Sequence, residues 1–191
     1  MAEMTGRLEV IVGPMFSGKS DELIRRLRRA KVGGKKVIAF KPTIDQRYEI
    51  KKIMTHDGAA FDCLPCSHPY ELTMHSRGFD VIGIDEVQFF EGYRIQDVIP
   101  TLINNGKTII VSGLDMTYRR QPWINVPWLM AVADRVDKLS AVCHKCGKDA
   151  VYTQRLVDGE PASFTGPTVQ VGGLETYEAR CRECFQEANE S

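Results

Sequence analysis

GPMFSGKS, Gly13 to Ser20, reads Gly, four residues, Gly, Lys, Ser, which is the spacing of a phosphate-binding loop. The glycines let backbone N–H groups converge on phosphate oxygens, and Lys19 supplies a cation. Ser20 is placed to ligate magnesium, and a helix opening there points its positive end at the same spot. The candidate phosphate site is the whole run: Gly13, Pro14, Met15, Phe16, Ser17, Gly18, Lys19 and Ser20. With Gly at roughly 7% of residues, the pattern arises by chance in about one chain in a hundred of this length. Its context argues against chance: the Val- and Ile-rich run Leu8 to Val12 precedes it, and a helical pattern from Asp21 to Lys31 follows.

Working outward, Leu23, Ile24, Leu27 and Ala30 share one face of that helix, and Arg25, Arg26, Arg28 and Arg29 spread over the rest as a solvated surface. Gly33-Gly34 stops it. Three more apolar runs read as buried strands: Lys36 to Phe40, Asp80 to Asp85 and Thr108 to Leu114. A second helical pattern, Ile95, Val98, Ile99, Leu102 and Ile103, ends at Asn104-Asn105-Gly106, and Pro100 inside it predicts a kink or a late start. Arg47 to Asp62 is polar and weakly patterned, and reads as a loop or hairpin. Strands alternating with helices predict an α/β fold, a P-loop NTPase-like parallel sheet flanked by helices. The composition changes near Ala141, after a helix expected to end near Leu139. Residues 1–140 are thus expected to form the nucleotide-binding domain, and residues 141–191 a small C-terminal domain of the zinc-ribbon kind.

Apolar residues make up 43% of the 191, enough for a sizeable core. Lys plus Arg equals Asp plus Glu at 25 each, so no bulk charge draws the chain to nucleic acid or membrane. MAEMTGRLEV lacks an apolar run ahead of a cleavage site, and no segment reaches the ~20 apolar residues of a membrane span. A cytoplasmic protein is expected, and its six cysteines read as thiols or metal ligands rather than disulfides.

Phosphate-loop enzymes usually add an acidic residue at the carboxyl end of another strand to hold the magnesium shell. FDVIGIDE supplies Asp85 and Glu86 there. Adjacent strand residues point opposite ways, so one carboxylate can serve the metal while the other faces the acceptor. Cys143-His-Lys-Cys146 and Cys181-Arg-Glu-Cys184 form two CxxC knuckles, a tetrahedral zinc set whose closed sphere makes the metal structural. The 34 residues between them exceed a compact ribbon, so something is looped out. His144 lies inside a knuckle and reads as exposed rather than ligating. The phosphate loop and the knuckles are far apart in sequence and are expected to be apart in space. A third pair, Cys63 and Cys66 with His68, has no fourth partner and reads as buried thiols.

Taken together, GPMFSGKS, KPTIDQRY, THDG, DEVQFF, GLDMTYRRQPW, AVCHKCGKDAVYTQRL and GGLETYEARCREC resemble the zinc-containing thymidine kinases of bacteria, poxviruses and animal cytosol. The resemblance covers nearly the whole chain. It implies transfer of the γ-phosphoryl of ATP to the 5′-hydroxyl of thymidine with magnesium. It implies Glu86 as general base, Lys19 and the loop amides on the donor phosphates, and Ser20 with Asp85 at magnesium. Arg47 would neutralise charge on the transferring group, and Gln88 would join the ATP-binding set. The long insert would be a lasso over the nucleoside, tied at its base by one structural zinc on Cys143, Cys146, Cys181 and Cys184. Its segment Thr168, Val169, Gln170, Val171 and Gly172 would read the pyrimidine edge, and Tyr177 would contact the sugar. Met15, Phe89, Leu114, Tyr118 and Trp123 would enclose the base, with Thr153 also lining the pocket. Tyr118 and Trp123 stand where the family often has phenylalanine. A homotetramer and feedback inhibition by dTTP are further implications. The rival readings are a zinc-ribbon protein that uses ATP as a switch, and a kinase for another deoxynucleoside.

Overall fold

The computed structural model describes residues 6–43, 51–55, 57–90, 94–169 and 177–187. Arg47 and Gln170, Val171 and Gly172 of the expected site lie outside them. Eight strands and four helices come first in chain order: β1 Arg7–Gly13, α1 Lys19–Val32, β2 Val37–Pro42, β3 Lys52–Met54, β4 Ala60–Asp62, β5 Leu64–Cys66, α2 Tyr70–His75, β6 Val81–Ile84, α3 Arg94–Asn104, β7 Thr108–Leu114, α4 Val126–Val132 and β8 Arg135–Lys138. Six of these strands form one sheet in the order β5-β2-β6-β7-β1-β8, and every pairing is parallel. The four runs expected as strands are β1, β2, β6 and β7, at the centre of it.

Alternation along the strands feeds two cores. Leu8, Val10 and Val12 join Ile82, Ile84, Ile109 and Val111 under Ile95, Val98, Ile99 and Leu102 of α3 and Val126 and Leu129 of α4. Ile11, Ala39, Val81 and Ile110 face the other way, under Leu23, Ile24 and Leu27 of α1. Helix α1 ends at Gly33, whose N–H donates to the Arg29 carbonyl at 3.0 Å. Helix α3 runs through Pro100 with no start deferred to it, and Pro100 is exposed.

Two expectations need correction. The segment ending near Leu139 is the edge strand β8 rather than a helix; its charged residues are tolerated because only one of its sides is paired. The Leu64–Cys66 run is the opposite edge strand. Arg26 is not part of a solvated face. It is 8% exposed and donates to Glu9 at 2.7 Å, Glu22 at 2.8 Å and Asp137 at 2.7 Å, tying α1 to β1 and β8. The segment after β2 does contain a hairpin, β3 with β4.

Beyond Leu139 the pairing becomes antiparallel: β9 Ala141–Val142 with β10 Asp149–Ala150, and β11 Tyr152–Val157 between β12 Glu160–Pro161 and β13 Tyr177–Arg180. Ala141, Cys143, Ala150, Ala179 and Cys181 make a third small core. No helix among the described residues is long and apolar enough to cross a membrane.

Candidate active site

The phosphate loop leaves β1 at its carboxyl end, where open parallel sheets bind ligands. Gly13 is required there by contact: a Cβ would stand 2.5 Å from the Leu139 carbonyl oxygen. Phe16 takes a left-handed φ of 66°. Lys19 Nζ donates to the Pro14 carbonyl at 2.5 Å. Burial holds the Lys19 ammonium below its ordinary range, while Glu86, Asp85 and Asp115 pull the other way. The Ser17 hydroxyl donates to Pro14 O at 2.9 Å and helps close the loop.

Across the intervening β7, β6 delivers Asp85 and Glu86. Ser20 Oγ lies 3.2 Å and 3.1 Å from the two Asp85 oxygens, so the two residues expected at magnesium do meet. Ser112 of β7, a polar residue in an apolar strand, donates to Asp85 Oδ1 at 2.5 Å. Glu86 takes a left-handed φ of 50°. Gln88 Nε2 donates to Glu86 Oε2 at 2.5 Å, and Gln88 Oε1 accepts the Leu114 N–H at 3.1 Å. Gln88 thus braces Glu86 against the end of β7. That turn is held by Asn125, whose Nδ2 donates to the carbonyls of Val87 at 2.9 Å and Phe90 at 3.1 Å. Ser112 and Asn125 escaped sequence reasoning, although a lone serine inside TIIVSGL is a readable signal.

Burial, then the neighbouring Glu86, push the Asp85 carboxyl up to about 6; hydrogen bonds from Ser112 and Ser20 oppose this. A carboxyl raised in the fold favours the protonated state, so its charge costs stability above pH about 6, and the cost fades as pH falls toward the ordinary 3.8. Asp85→Asn is therefore expected to raise the thermal midpoint of the metal-free chain at neutral pH, with the gain shrinking below pH about 5. Thermal unfolding across pH checks this, and a gain independent of pH would rule the account out.

The described residues expected at the nucleoside have the following placements. Phe89 and Trp123 meet edge to face at 5.7 Å. Met15 and Leu114 are half-buried at the carboxyl ends of β1 and β7. Tyr118 is buried, and its hydroxyl donates to the carbonyls of Ser163 at 3.1 Å and Gly166 at 3.3 Å, so it anchors the looped-out segment. Arg119 reaches Gly166 O, and Thr168 Oγ1 at 3.4 Å. Val169 is exposed; Tyr177 is buried where β13 begins, opposite Arg155. Thr153 does not simply line a pocket: its Oγ1 accepts the Met15 N–H of the phosphate loop at 3.0 Å.

The four cysteines converge. The sulfurs of Cys143, Cys146, Cys181 and Cys184 all lie within 4.8 Å of one another, and Cys146 and Cys181 are 3.6 Å apart. Zn–S bonds of about 2.3 Å set tetrahedral sulfur edges near 3.8 Å, so the cluster fits a zinc ion. His144 is exposed and its Nδ1 accepts the Ala179 N–H at 3.1 Å, consistent with a role outside the ligand set. Contrary to expectation, this cluster is not remote from the phosphate loop: Phe16 packs against its small core and meets the His144 ring at 5.6 Å.

Comparison with known proteins agrees with this geometry. A curated thymidine kinase from Coprothermobacter proteolyticus is 49% identical over 176 residues, 92% of this chain and 88% of that protein. Among solved structures, a DNA replication initiation factor (16% identity, TM-score 0.43) and AMPPCP-bound DnaA from Aquifex aeolicus (15%, TM-score 0.43) are matched over 70% and 73% of this chain. The match spans only 40% and 42% of those chains, and at this level the likeness carries no argument. The thymidine kinase family model matches residues 6–185, and with nearly the whole chain accounted for, the protein belongs to the thymidine kinase family.

Proposed function

We propose that this chain transfers the γ-phosphoryl of ATP to the 5′-hydroxyl of thymidine, giving dTMP. The observation that carries this reading is the placement of Glu86 and the phosphate loop at the carboxyl ends of β6 and β1, which flank β7 in the sheet, with the cysteine cluster's small core packed against the loop at Phe16. Lys19 and the loop amides hold the donor phosphates, with Arg47 and Gln88 assigned to the same end. Ser20 and Asp85 hold magnesium, which when bound neutralises phosphate charge. Glu86, aimed by Gln88, takes the proton of the attacking hydroxyl. The segment 168–172 reads the base edge, Tyr177 meets the sugar, and Phe89, Leu114, Trp123 and Met15 wall the base. Phosphoryl transfer asks for position and charge stabilisation more than covalent chemistry, and these residues supply both.

The cysteine cluster holds one structural zinc at the base of the insert. The protein works in the cytoplasm as a homotetramer and is restrained by dTTP. The test is transfer from labelled ATP to a nucleoside panel with magnesium. Thymidine is expected to be phosphorylated in preference to deoxycytidine by ~10²-fold or more, because cytosine presents the opposite donor and acceptor pattern to a backbone built for thymine. ATP turnover that needs no nucleoside would favour an ATP-driven switch protein instead.

A further inference from the structure

Two contacts join the phosphate loop to the cysteine-bearing strands, and both converge on one pair of residues. Thr153 on β11 and Ala179 on β13 face each other in the antiparallel register. Thr153 Oγ1 takes the Met15 N–H at 3.0 Å. Ala179 fixes His144 twice: its carbonyl accepts the His144 N–H at 3.0 Å, and its own N–H donates to His144 Nδ1 at 3.1 Å. The His144 ring then meets Phe16 at 5.6 Å with the planes at 61°. Phe16 is the loop residue with the left-handed backbone, a conformation that phenylalanine adopts only when its surroundings hold it there. The small core of Ala141, Cys143, Ala150, Ala179 and Cys181 provides that hold.

We propose that Thr153 and His144 are positioning residues for the phosphate loop, acting on the donor side of the reaction through Met15 and Phe16. The inference rests on the reading that this loop binds ATP. Strands β11 and β13 carry the brace at Thr153 and Ala179 and lead into the insert at their other ends, past Val157 and before Tyr177. The same two strands therefore shape the donor loop and carry the segment assigned to the nucleoside. Thr153, expected as a wall of the nucleoside pocket, becomes a residue of the donor side.

The test uses the full zinc-loaded chain, with calorimetric titration of a non-hydrolysable ATP analogue in magnesium and, separately, of thymidine. Thr153→Val removes the acceptor and leaves the Met15 N–H unsatisfied, so ATP-analogue affinity and KM for ATP are expected to worsen about tenfold. Thymidine affinity should fall clearly less than ATP-analogue affinity, since only the Met15 side chain is assigned to the base. Thr153→Ser keeps an acceptor oxygen and is expected to restore ATP affinity, a rescue that a purely steric role would not produce. His144→Ala should weaken ATP binding about threefold, in the range of a lost aromatic contact, with zinc content unchanged. Weakened thymidine binding with unchanged ATP binding in Thr153→Val would overturn the proposal and return Thr153 to the nucleoside wall. Should Thr153→Val lose its zinc, His144→Ala and Thr153→Ser decide: full ATP affinity in the first, or none restored in the second, also overturns it. A wild-type chain that fails to bind the analogue would sink the proposed function as well, and the wild-type titration separates that result from a failure of the brace alone.

Discussion

The Glu86→Gln enzyme is expected to bind thymidine and ATP as the parent does and to turn over about 10²–10⁴-fold more slowly, the range of a lost general base. Glutamine keeps the length of the side chain, and residue 86 can keep its left-handed turn, since the strain there belongs to the backbone rather than to the carboxylate. The Gln88 side chain stays anchored on the Leu114 N–H, so the pocket end of β7 is undisturbed. What is lost is the ability to accept a proton at the atom that Gln88 now orients. Steady-state kinetics with separate binding titrations read this directly: kcat should fall while both dissociation constants hold. Turnover within a fewfold of wild type would move the base to another carboxylate.

Lys19→Ala is the second large effect. Its ammonium is the only loop side chain that can place positive charge on the donor phosphates, and it is drawn toward the carboxylates of Glu86, Asp85 and Asp115. Removing one preorganised donor of this kind costs about 10²–10³-fold in rate, and more where a full charge is lost in a desolvated site. Transfer should therefore become hard to detect, while thymidine binding and zinc content stay at wild-type levels. Alanine leaves the Met15 and Phe16 contacts with the cysteine-bearing strands in place, so no secondary loss of zinc is expected. Transfer near the parent rate would remove Lys19 from the donor site. Loss of zinc together with transfer would show that the substitution unfolds the chain.

Much of this site was legible because its parts are local. A phosphate loop is a contiguous run, the carboxylates Asp85 and Glu86 end a recognisable strand, and CxxC pairs declare themselves by spacing. The central strands were legible because burial on both faces forces long Val- and Ile-rich runs. The edge strands were not. Arg135–Lys138 is short, charged and paired on one side only, so its two-residue alternation is too brief to stand out from a loop. Arg26 was misjudged for a related reason. Its partners Glu9 and Asp137 lie on two adjacent strands whose pairing no local pattern reveals. The brace between Met15 and Thr153 spans 138 residues and depends on one side-chain oxygen, for which sequence has no signature. Tyr118 was read as a ring against the base, yet its hydroxyl secures the insert, a role set by where the carbonyls of Ser163 and Gly166 fall.

Cys63 and Cys66 have a consequence for the chain's chemistry. They project into the cores on opposite sides of the sheet, and burial pushes their thiols up to about 11 and about 12. They are too shielded and too weakly acidic to react while the sheet is intact. The remaining four sulfurs sit together, Cys143 and Cys181 buried, Cys184 half-buried and Cys146 exposed. Metal coordination is what would protect those four. An alkylating reagent applied to the folded chain thus misses Cys63 and Cys66 and meets the exposed Cys146 first, so uptake at Cys146 gauges how much of the protein has lost its metal.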